Sequence, residues 1–338
     1  MIPFSKQPYR TVSKETMQEI YERIKTTGPK TPVMRLDEDM TDSPSVFKYK
    51  GVWYLYYISI SKDVTKSGYE THMAKSSDLL HWEPVGTIFR RNDRNHWDSK
   101  QIAGYGAFFD IAFGGSNELH PVGGQYHLSY LAGNSDGYEP DPLYMGEAVA
   151  DSPVDPDGFT RFEEPIMKPE DPDHRPFEER TLYKSFMFRD PNRVTGYPYV
   201  NIYNAKASDR KERIFLAVSE DGEHWERYGE HHVFARQDRL PEVLITGDPQ
   251  IVLLGDVYVM FYFTWTEGQT AFNTFACSYD LVHWTDWEGE PLVQSDCEMD
   301  NEHAHKTWFV HEGGKNYHFY CAVNHQGERF IAVAESAD

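Results

Sequence analysis

The chain has 338 residues, with 33 Lys and Arg against 54 Asp and Glu, so its formal net charge at neutral pH is -21. This charge repels a phosphate backbone, which excludes nucleic acid as an expected partner. Only three cysteines occur, at no metal-binding spacing, which excludes a disulfide framework and predicts no metal or other cofactor.

No apolar run approaches the length of a membrane span, and the first twenty residues lack a stretch of signal-peptide length. We therefore expect a soluble protein without a membrane partner. Its expected location is the cytoplasm or, if a leader has been removed, the periplasm.

The N-terminal region differs from the rest of the chain. Ser13 is a candidate helix cap, and apolar residues recur at helical spacing as far as Ile24. These signals predict an amphipathic helix from Ser13 to Lys25 within an N-terminal helical extension of residues 1–36. Its apolar stripe is expected to pack on the main domain or on a neighbouring subunit, so a homodimer through this helix is one hypothesis.

Residues 37–338 repeat a four-strand plan. A first strand is followed by a second strand rich in aromatic residues, a third strand, and a short ending closed by tryptophan. Three endings have the form Asp-x-x-x-Trp, and they run from Asp78 to Trp82, from Asp221 to Trp225 and from Asp280 to Trp284. Two less regular copies cover Gln101 to Phe162 and His305 to Glu335.

Repeated four-stranded units of this length are typical of a β-propeller. The sequence predicts an all-β, five-bladed β-propeller over residues 37–338, with a β-sandwich of chance similarity as the alternative. The last unit lacks a fourth strand, and the segment before Asp42 is expected to supply it by pairing the two ends. Each closing Trp is expected to fill the joint between two blades.

The blade plan also gives a geometric filter for a site. Because the chain reverses after every strand, the start of a first strand and the loop between the second and third strands lie on one face, around the central opening. The first-strand positions are Asp42, Gln101, Tyr105, Glu179, Lys184, Asp248, His303, His305 and Lys306. The loop positions are Tyr69, Glu70, Tyr138, Glu139, Asn204, Lys206, Glu212, Arg213, Trp265, Glu267, Asn324 and Arg329.

This ring of residues is rich in carboxylates, cations, amides and aromatic rings. Such groups suit sugars, because sugar hydroxyls both donate and accept hydrogen bonds and an aromatic face matches the C–H face of a pyranose. Glycoside cleavage needs one protonated carboxyl group and a second carboxylate that acts as base or nucleophile. The pattern therefore predicts a carbohydrate site at the central mouth.

The run Asp42-Ser43-Pro44, followed by Gly51-Val52-Trp53-Tyr54-Leu55, resembles the five-bladed propeller glycoside hydrolases of families 43, 32, 117 and 130. The Asp-Leu-x-His-Trp endings, Gly247-Asp248-Pro249 and Ala304-His305-Lys306 are most similar to those of bacterial family 43-like glycosidases. The likeness covers roughly Asp42 to Ser336, and its motifs specify the clan better than the family.

The resemblance implies roles for several of these residues. Asp42 would be the base of an inverting enzyme or the nucleophile of a retaining one, and Asp248 would orient the sugar or raise the pKa of the general acid. Glu179 is one candidate for the general acid. His303 and His305 are others, because family 117 relatives use a histidine near the last blade, although His305 has a structural role in the channel as its alternative. The predicted substrate-binding residues are Glu70, Gln101, Tyr105, Glu139, Lys184, Asn204, Arg213, Trp265, His303 and Lys306.

The predicted function is a glycoside hydrolase that removes a terminal sugar from an oligo- or polysaccharide. Inserts at residues 92–96 and 151–175 would wall the mouth into a pocket, which favours chain ends. A family 130-like phosphorylase is an alternative, because Lys184, Arg213, His305 and Lys306 are a possible phosphate pocket. A non-catalytic carbohydrate-binding propeller is the third alternative.

Overall fold

The computed structural model describes residues 1–4, 9–63 and 68–337 of the chain. It contains one α-helix, α1 (Lys14–Ile24), two 3₁₀ helices at Arg236–Asp238 and Glu298–Asp300, and otherwise strands. The prediction of a nearly all-β protein is therefore confirmed. Within the described ranges no helix has the length and apolar character needed to cross a membrane.

The described residues form twenty strands in antiparallel sheets. The first strand is β1 (Lys30–Met34), and the next four form one sheet: β2 (Asp39–Tyr49), β3 (Val52–Ser61), β4 (Tyr69–Ser76) and β5 (Glu83–Phe89). A second sheet contains β6 (Gln101–Gly106), β7 (Tyr126–Gly133), β8 (Tyr144–Ala150) and β9 (Thr160–Arg161).

A larger sheet follows, made of two antiparallel units. The first unit contains β10 (Thr181–Arg189), β11 (Tyr199–Lys206), β12 (Glu212–Ser219) and β13 (Glu226–Tyr228), and the second contains β14 (Val243–Leu254), β15 (Val257–Thr266), β16 (Phe272–Ser278) and β17 (Thr285–Asp286). A single parallel pair, Glu212 with Ile245, joins the two units.

The last sheet pairs the two ends of the chain. It contains β18 (His303–Glu312), β19 (Lys315–Val323) and β20 (Arg329–Glu335), and its fourth strand is β1, which runs antiparallel to β20 from Lys30 opposite Ala334 to Met34 opposite Ile331. The prediction that the segment before Asp42 completes the last unit is confirmed.

The helix α1 packs its apolar stripe on the same chain. Ser13 is its N-cap, and the Ser13 hydroxyl accepts the backbone N–H of Thr16, as the sequence predicts. Met17, Ile20 and Ile24 are buried in a cluster with residues of β14, β15 and β16. The stripe is therefore covered by the main domain rather than left for a neighbouring subunit.

The three Asp-x-x-x-Trp endings are the same turn. At Asp280 one carboxylate oxygen accepts the backbone N–H groups of Val282 (2.9 Å) and His283 (2.8 Å), and the other lies 2.7 Å from Nδ1 of His283. Asp78 and Asp221 make the corresponding bonds. Hydrogen-bonding Asp side chains of this kind fix a turn locally, which explains the repeated motif.

The closing tryptophans pack against neighbouring sheets. The Trp82 ring lies 6.0 Å from Phe319 of β19, edge to face, and the Trp225 ring is stacked 6.3 Å from Phe108, which follows β6. Both contacts cross from one sheet to the next, as the sequence predicts for residues that fill these joints.

Candidate active site

Four of the first strands bend at corresponding points. The register of β2, β10, β14 and β18 shifts between Asp42 and Ser45, Leu182 and Ser185, Gly247 and Gln250, and His305 and Thr307. A bulge of this kind inserts an extra residue and re-aims side chains. Ser43, Asp248 and Lys306 have φ angles of 50°, 56° and 56°, a region that non-glycine residues rarely occupy.

The bulges surround a narrow, mostly buried space that we call the inner chamber. It is lined by Asp42, Ser43, Ile58, Tyr69, Tyr105, Leu131, Glu139, Tyr183, Lys184, Asp248 and Lys306. The chamber therefore brings together Asp42, Asp248 and Lys184 from three different sheet units.

A wider space, the outer cavity, adjoins the chamber and has a volume of about 280 Å³. It is lined by Tyr138, Glu139, Tyr183, Glu212, Ile245, Phe263, Trp265, Ala271, His303, His305, Lys306 and Arg329. Glu139, Tyr183 and Lys306 line both spaces. The predicted convergence of first-strand starts and second loops on one mouth is therefore what the geometry gives for these residues.

Asp42 is held as a carboxylate in the inner chamber. One of its oxygens accepts the Ser43 backbone N–H at 2.6 Å, and the other accepts a guanidinium N–H of Arg329 at 3.0 Å. Burial alone raises the pKa of Asp42, but the charges of Arg329, Lys306 and His305 outweigh it and bring the pKa to about 2. Asp42 is therefore ionised at neutral pH.

Glu212 has the opposite electrostatic environment. Its side chain begins β12, lines the outer cavity and is 8% exposed. Burial raises the pKa of Glu212, and the carboxylates of Glu139 and Asp248 raise it further, to about 8. A carboxyl group with this pKa stays protonated at neutral pH and can donate a proton.

Asn204 lies between Glu212 and Asp248. It is fully buried, donates from Nδ2 to Oε2 of Glu212 at 2.7 Å, and accepts the backbone N–H of Asp248 at 3.1 Å. Lys306 approaches Asp248 on another side, with 3.4 Å between Nζ and Oδ1. Asn204 was predicted to bind substrate, and the structure places it behind the acids instead.

Glu139 and Arg329 close the other side of the outer cavity. The Tyr69 hydroxyl donates to Oε1 of Glu139, and Arg329 donates to the Tyr138 hydroxyl at 2.9 Å. The loops that carry Tyr69 and Tyr138 therefore meet at the site.

Three further rings present polar or stacking surfaces to the outer cavity. His303 accepts the Ala271 backbone N–H on Nδ1, and Trp265 packs edge to face on His303 with ring centroids 6.2 Å apart. Burial lowers the pKa of His305 well below its usual value, and Nδ1 of His305 has no hydrogen-bond partner in the described residues. His305 is therefore neutral at neutral pH, which makes it a poor proton donor.

Four further predicted site residues do not line either space. Glu179 accepts the backbone N–H of Ser208 at 3.0 Å, and Glu70 accepts that of Arg91 at 3.0 Å. Arg213 is paired with Asp209. The amide of Gln101 donates to the carbonyls of Ser135 and Gly137, at 2.8 and 3.0 Å, and so supports the loop that carries Glu139.

Glu70 and Arg213 are excluded from the mouth by strand geometry. Successive side chains of a strand point to opposite faces, so Tyr69 and Glu212 face the site and their neighbours face away. The general acid expected at Glu179 has a better placed counterpart in Glu212, which the geometric filter includes without ranking it. The signal that separates the two residues is their environment. Burial raises the pKa of Glu179 too, but hydrogen bonds, first of all from the backbone of Ser208, outweigh it and leave that pKa lowered.

The described residues include two groups whose donor atoms lie close enough to hold a metal. Asp42, His305 and Cys321 form one, and Asp296, Cys297 and Asp300 form the other. Arg329 already bonds Asp42, and Lys30 bonds Asp300 at 2.8 Å. A cation at either place would face a positive charge that is already bound there, so neither group fits a metal well.

No family model matches the chain, and no curated protein matches it. Among solved structures, one described as a glycoside hydrolase is 36% identical, with a TM-score of 0.90 over 97% of this chain and 96% of the other. A structure described as a complex of BT0996 and RGII has the same identity, coverage and TM-score.

More distant structures share the fold. A thermostable family 43 glycoside hydrolase has a TM-score of 0.64 at 15% identity and covers 91% of each chain. Zg3597, a family 117 glycoside hydrolase of Zobellia galactanivorans, has a TM-score of 0.66 at 14% identity, over 92% of this chain and 90% of the other. These two likenesses concern the fold, which is that of propeller glycoside hydrolases. The identity of 36% along nearly the whole length shows more: this chain belongs to the glycoside hydrolases, and it is a glycosidase.

Proposed function

We propose that the protein hydrolyses the bond to a terminal sugar by acid/base catalysis, with Glu212 as the general acid. The observation that carries this proposal is the pKa of Glu212, raised to about 8, on a side chain that lines the outer cavity. A glycosidase needs a carboxyl group that is still protonated at neutral pH to protonate the leaving oxygen.

The second carboxylate is proposed to be Glu139. It lines the outer cavity together with Glu212, whereas Asp42 lines only the inner chamber and is bonded to Arg329. In this arrangement Glu139 is the base or nucleophile. Asp42 keeps Arg329 in place and contributes negative charge beneath the sugar. The resemblance favours the other assignment, with Asp42 as base or nucleophile, and the experiment below separates the two.

Hydrolysis is favoured over phosphorolysis by the state of the cations. Arg329 is paired with Asp42, Lys306 lies 3.4 Å from Asp248, and Lys184 donates to the backbone carbonyl of Thr307 at 3.1 Å. A phosphate would have to displace these partners or bind beside carboxylates of its own sign.

The proposed substrate is an oligosaccharide of the RGII kind, cleaved at its end. The structure at 36% identity described as a complex of BT0996 and RGII supports this choice. Trp265 and Tyr138 offer aromatic faces at the outer cavity. The inserts at 92–96 and 151–175 contribute no residue to its lining, so the limit on its size comes from the loops of Tyr138 and Arg329.

We also propose that the sheets are five blades, since the larger sheet divides at one parallel pair into two units like the others. The catalytic propeller would then span residues 37–338 and be closed by β1 from the extension of residues 1–36.

The test is a turnover screen of the wild type and the variants Glu212→Gln, Glu139→Gln and Asp42→Asn. The panel contains aryl glycosides, RGII oligosaccharides and other natural oligosaccharides, each with and without phosphate. We expect phosphate-independent release of a terminal sugar that falls by about a hundredfold or more in Glu212→Gln and in Glu139→Gln.

Each alternative has its own outcome. A loss of that size in Asp42→Asn, with Glu139→Gln nearly unaffected, would move the second role to Asp42. Release that requires phosphate would indicate a phosphorylase. Binding by all four proteins without turnover would replace the hydrolase by a carbohydrate-binding propeller.

A further inference from the structure

We propose that Asn204 is a positioning residue of the reaction, which fixes the acidic proton on Oε1 of Glu212, the oxygen that is open to the outer cavity. The inference rests on the proposed function, in which Glu212 is the general acid. It assigns the orientation of that acid to a fully buried amide that touches no substrate.

The orientation of the Asn204 amide is determined by its two neighbours. The backbone N–H of Asp248 can only donate, so the atom that it meets at 3.1 Å must be the amide oxygen of Asn204. Nδ2 of Asn204 therefore faces Glu212 and donates to Oε2 at 2.7 Å. An oxygen that accepts this N–H cannot also point a proton at it, so the proton of the neutral acid belongs to Oε1.

Oε1 is the oxygen available to a substrate. No side chain or backbone group of the described residues bonds it, and it is not among the buried atoms that lack a partner. Since Glu212 lines the outer cavity and not the inner chamber, the accessible part of its carboxyl group opens to the outer cavity.

Gly247 makes this arrangement possible. A methyl group at position 247 would lie 2.8 Å from Nδ2 of Asn204 and 3.3 Å from Oε2 of Glu212. The first distance is too short for real Cβ contacts, so a larger residue would push the amide away from the acid. The backbone at Gly247 has therefore been brought as close to the Asn204–Glu212 pair as a residue without a side chain allows.

Charges around Glu212 adjust its proton affinity but do not orient it. Glu139 and Asp248 favour the protonated form, whereas Lys306 and Lys206 oppose it. Asn204 carries no charge and makes the one hydrogen bond to the carboxyl group that the described residues provide. Its contribution is therefore geometric.

The experiment compares Asn204→Ala with Asn201→Ala. Asn201 lies on the same strand, is also fully buried and bonds Ser185 at 2.9 Å, so it matches the structural cost of the change without contacting Glu212. The probes are the 2,4-dinitrophenyl and methyl glycosides of the sugar released in the screen. The first leaving group needs little protonation and the second depends on it.

We expect Asn204→Ala to lower kcat for the methyl glycoside by roughly ten- to a hundredfold, with KM nearly unchanged, and to lower kcat for the dinitrophenyl glycoside less than about threefold. Glu212→Gln should show the same dependence on the leaving group, more strongly, and Asn201→Ala should show none. Equal losses on both probes in Asn204→Ala would overturn the proposal, because they would indicate a structural effect.

A measurement without substrate completes the test. In a ¹³C NMR titration of labelled glutamate, the Glu212 signal is identified by its loss in Glu212→Gln. Its pKa should rise in Asn204→Ala, because a donor to the ionised form has been removed. An unchanged titration would count against the proposal. If no glutamate titrates near pH 8 in the wild type, or Glu212→Gln keeps its activity on the methyl glycoside, the proposed function fails as well.

Discussion

At the scale of single residues, the candidate site separates its acids by environment. Asp42 and Glu212 carry the same functional group, yet the pKa of one is about 2 and that of the other about 8. Asp42 is beside the guanidinium of Arg329, whereas Glu212 is buried beside an amide and two other carboxylates. The difference lets one protein hold a proton donor and an ionised carboxylate at the same pH.

The first residue-scale prediction concerns the pH profile. Activity should fall as the pH rises through about 8, because Glu212 then loses the proton that it must donate. The profile of kcat/KM between pH 5 and 10 measures this. A profile that stays flat to pH 10, with chemistry rate-limiting, would contradict the role of Glu212.

The same group predicts a change in stability with pH. The pKa of Glu212 is raised on folding, so the folded chain binds the proton more tightly than the unfolded one. Its contribution is complete below the unfolded pKa, near 4.5, and is lost as the pH rises through about 8. The free energy of unfolding should therefore decrease between pH 5 and 9 in the wild type by on the order of a few kcal/mol more than in Glu212→Gln. Urea unfolding of both proteins at several pH values tests this.

Arg329 gives a third residue-scale prediction. In Arg329→Met the charge that most lowers the pKa of Asp42 is removed, so that pKa should rise from about 2. The acidic limb of the pH profile should move to higher pH in this variant. An unchanged acidic limb would mean that the protonation of Asp42 does not limit the reaction.

At the scale of elements, the bulged first strands and the Asp-x-x-x-Trp turns do different work. The bulges at Asp248 and Lys306 hold backbone angles that are unfavourable for these residues, and they direct the side chains to the site. The turns are self-contained, since each is fixed by its own Ser, Asp and His.

Breaking one turn should therefore cost stability without changing the chemistry. Asp221→Ala removes the acceptor of the backbone N–H groups of Glu223 and His224, both at 2.9 Å. We expect a loss of about 1–2 kcal/mol in the free energy of unfolding. Glu220→Ala, at an exposed neighbouring position, is the control. A large loss of kcat in a well-folded Asp221→Ala would show that the turn reaches the site.

The elements were easier to predict than the site. Strand and turn patterns are local, so the helix at Lys14–Ile24, the repeated endings and the missing fourth strand follow from the sequence. The filter for the mouth also depends only on chain reversal. Which acid is protonated depends on burial and on neighbours from other sheets, and no local pattern distinguishes Glu212 from Glu179. For the same reason the sequence did not show that Asn204 faces the acids rather than the sugar.

At the scale of the whole molecule, β1 joins the two ends of the chain. Deleting residues 1–34 removes this strand and leaves the edge of β20 unpaired, whereas deleting residues 1–27 removes only the helix and keeps the strand. We expect the longer deletion to lower Tm much more than the shorter one. Equal effects would mean that the helix, through Met17, Ile20 and Ile24, supplies most of the stability of the extension.

The same two proteins test the predicted homodimer. If α1 mediates dimerisation, both deletions should halve the solution mass measured by light scattering. The burial of its apolar stripe on the main domain leaves only the polar face of the helix for a partner. An unchanged mass in both deletions would remove the helix from any subunit interface.

The pairing of β1 with β20 also sets an order of events during synthesis. Lys30 meets Ala334, so about 300 residues must be translated before β1 has a partner. At about 5–20 residues per second the strand waits on the order of 15–60 s. Throughout that time its hydrogen-bonding edge is free to pair with another chain. Nascent chains on one messenger are therefore at risk of exchanging β1, and a domain-swapped dimer is the misfolded product that this closure invites.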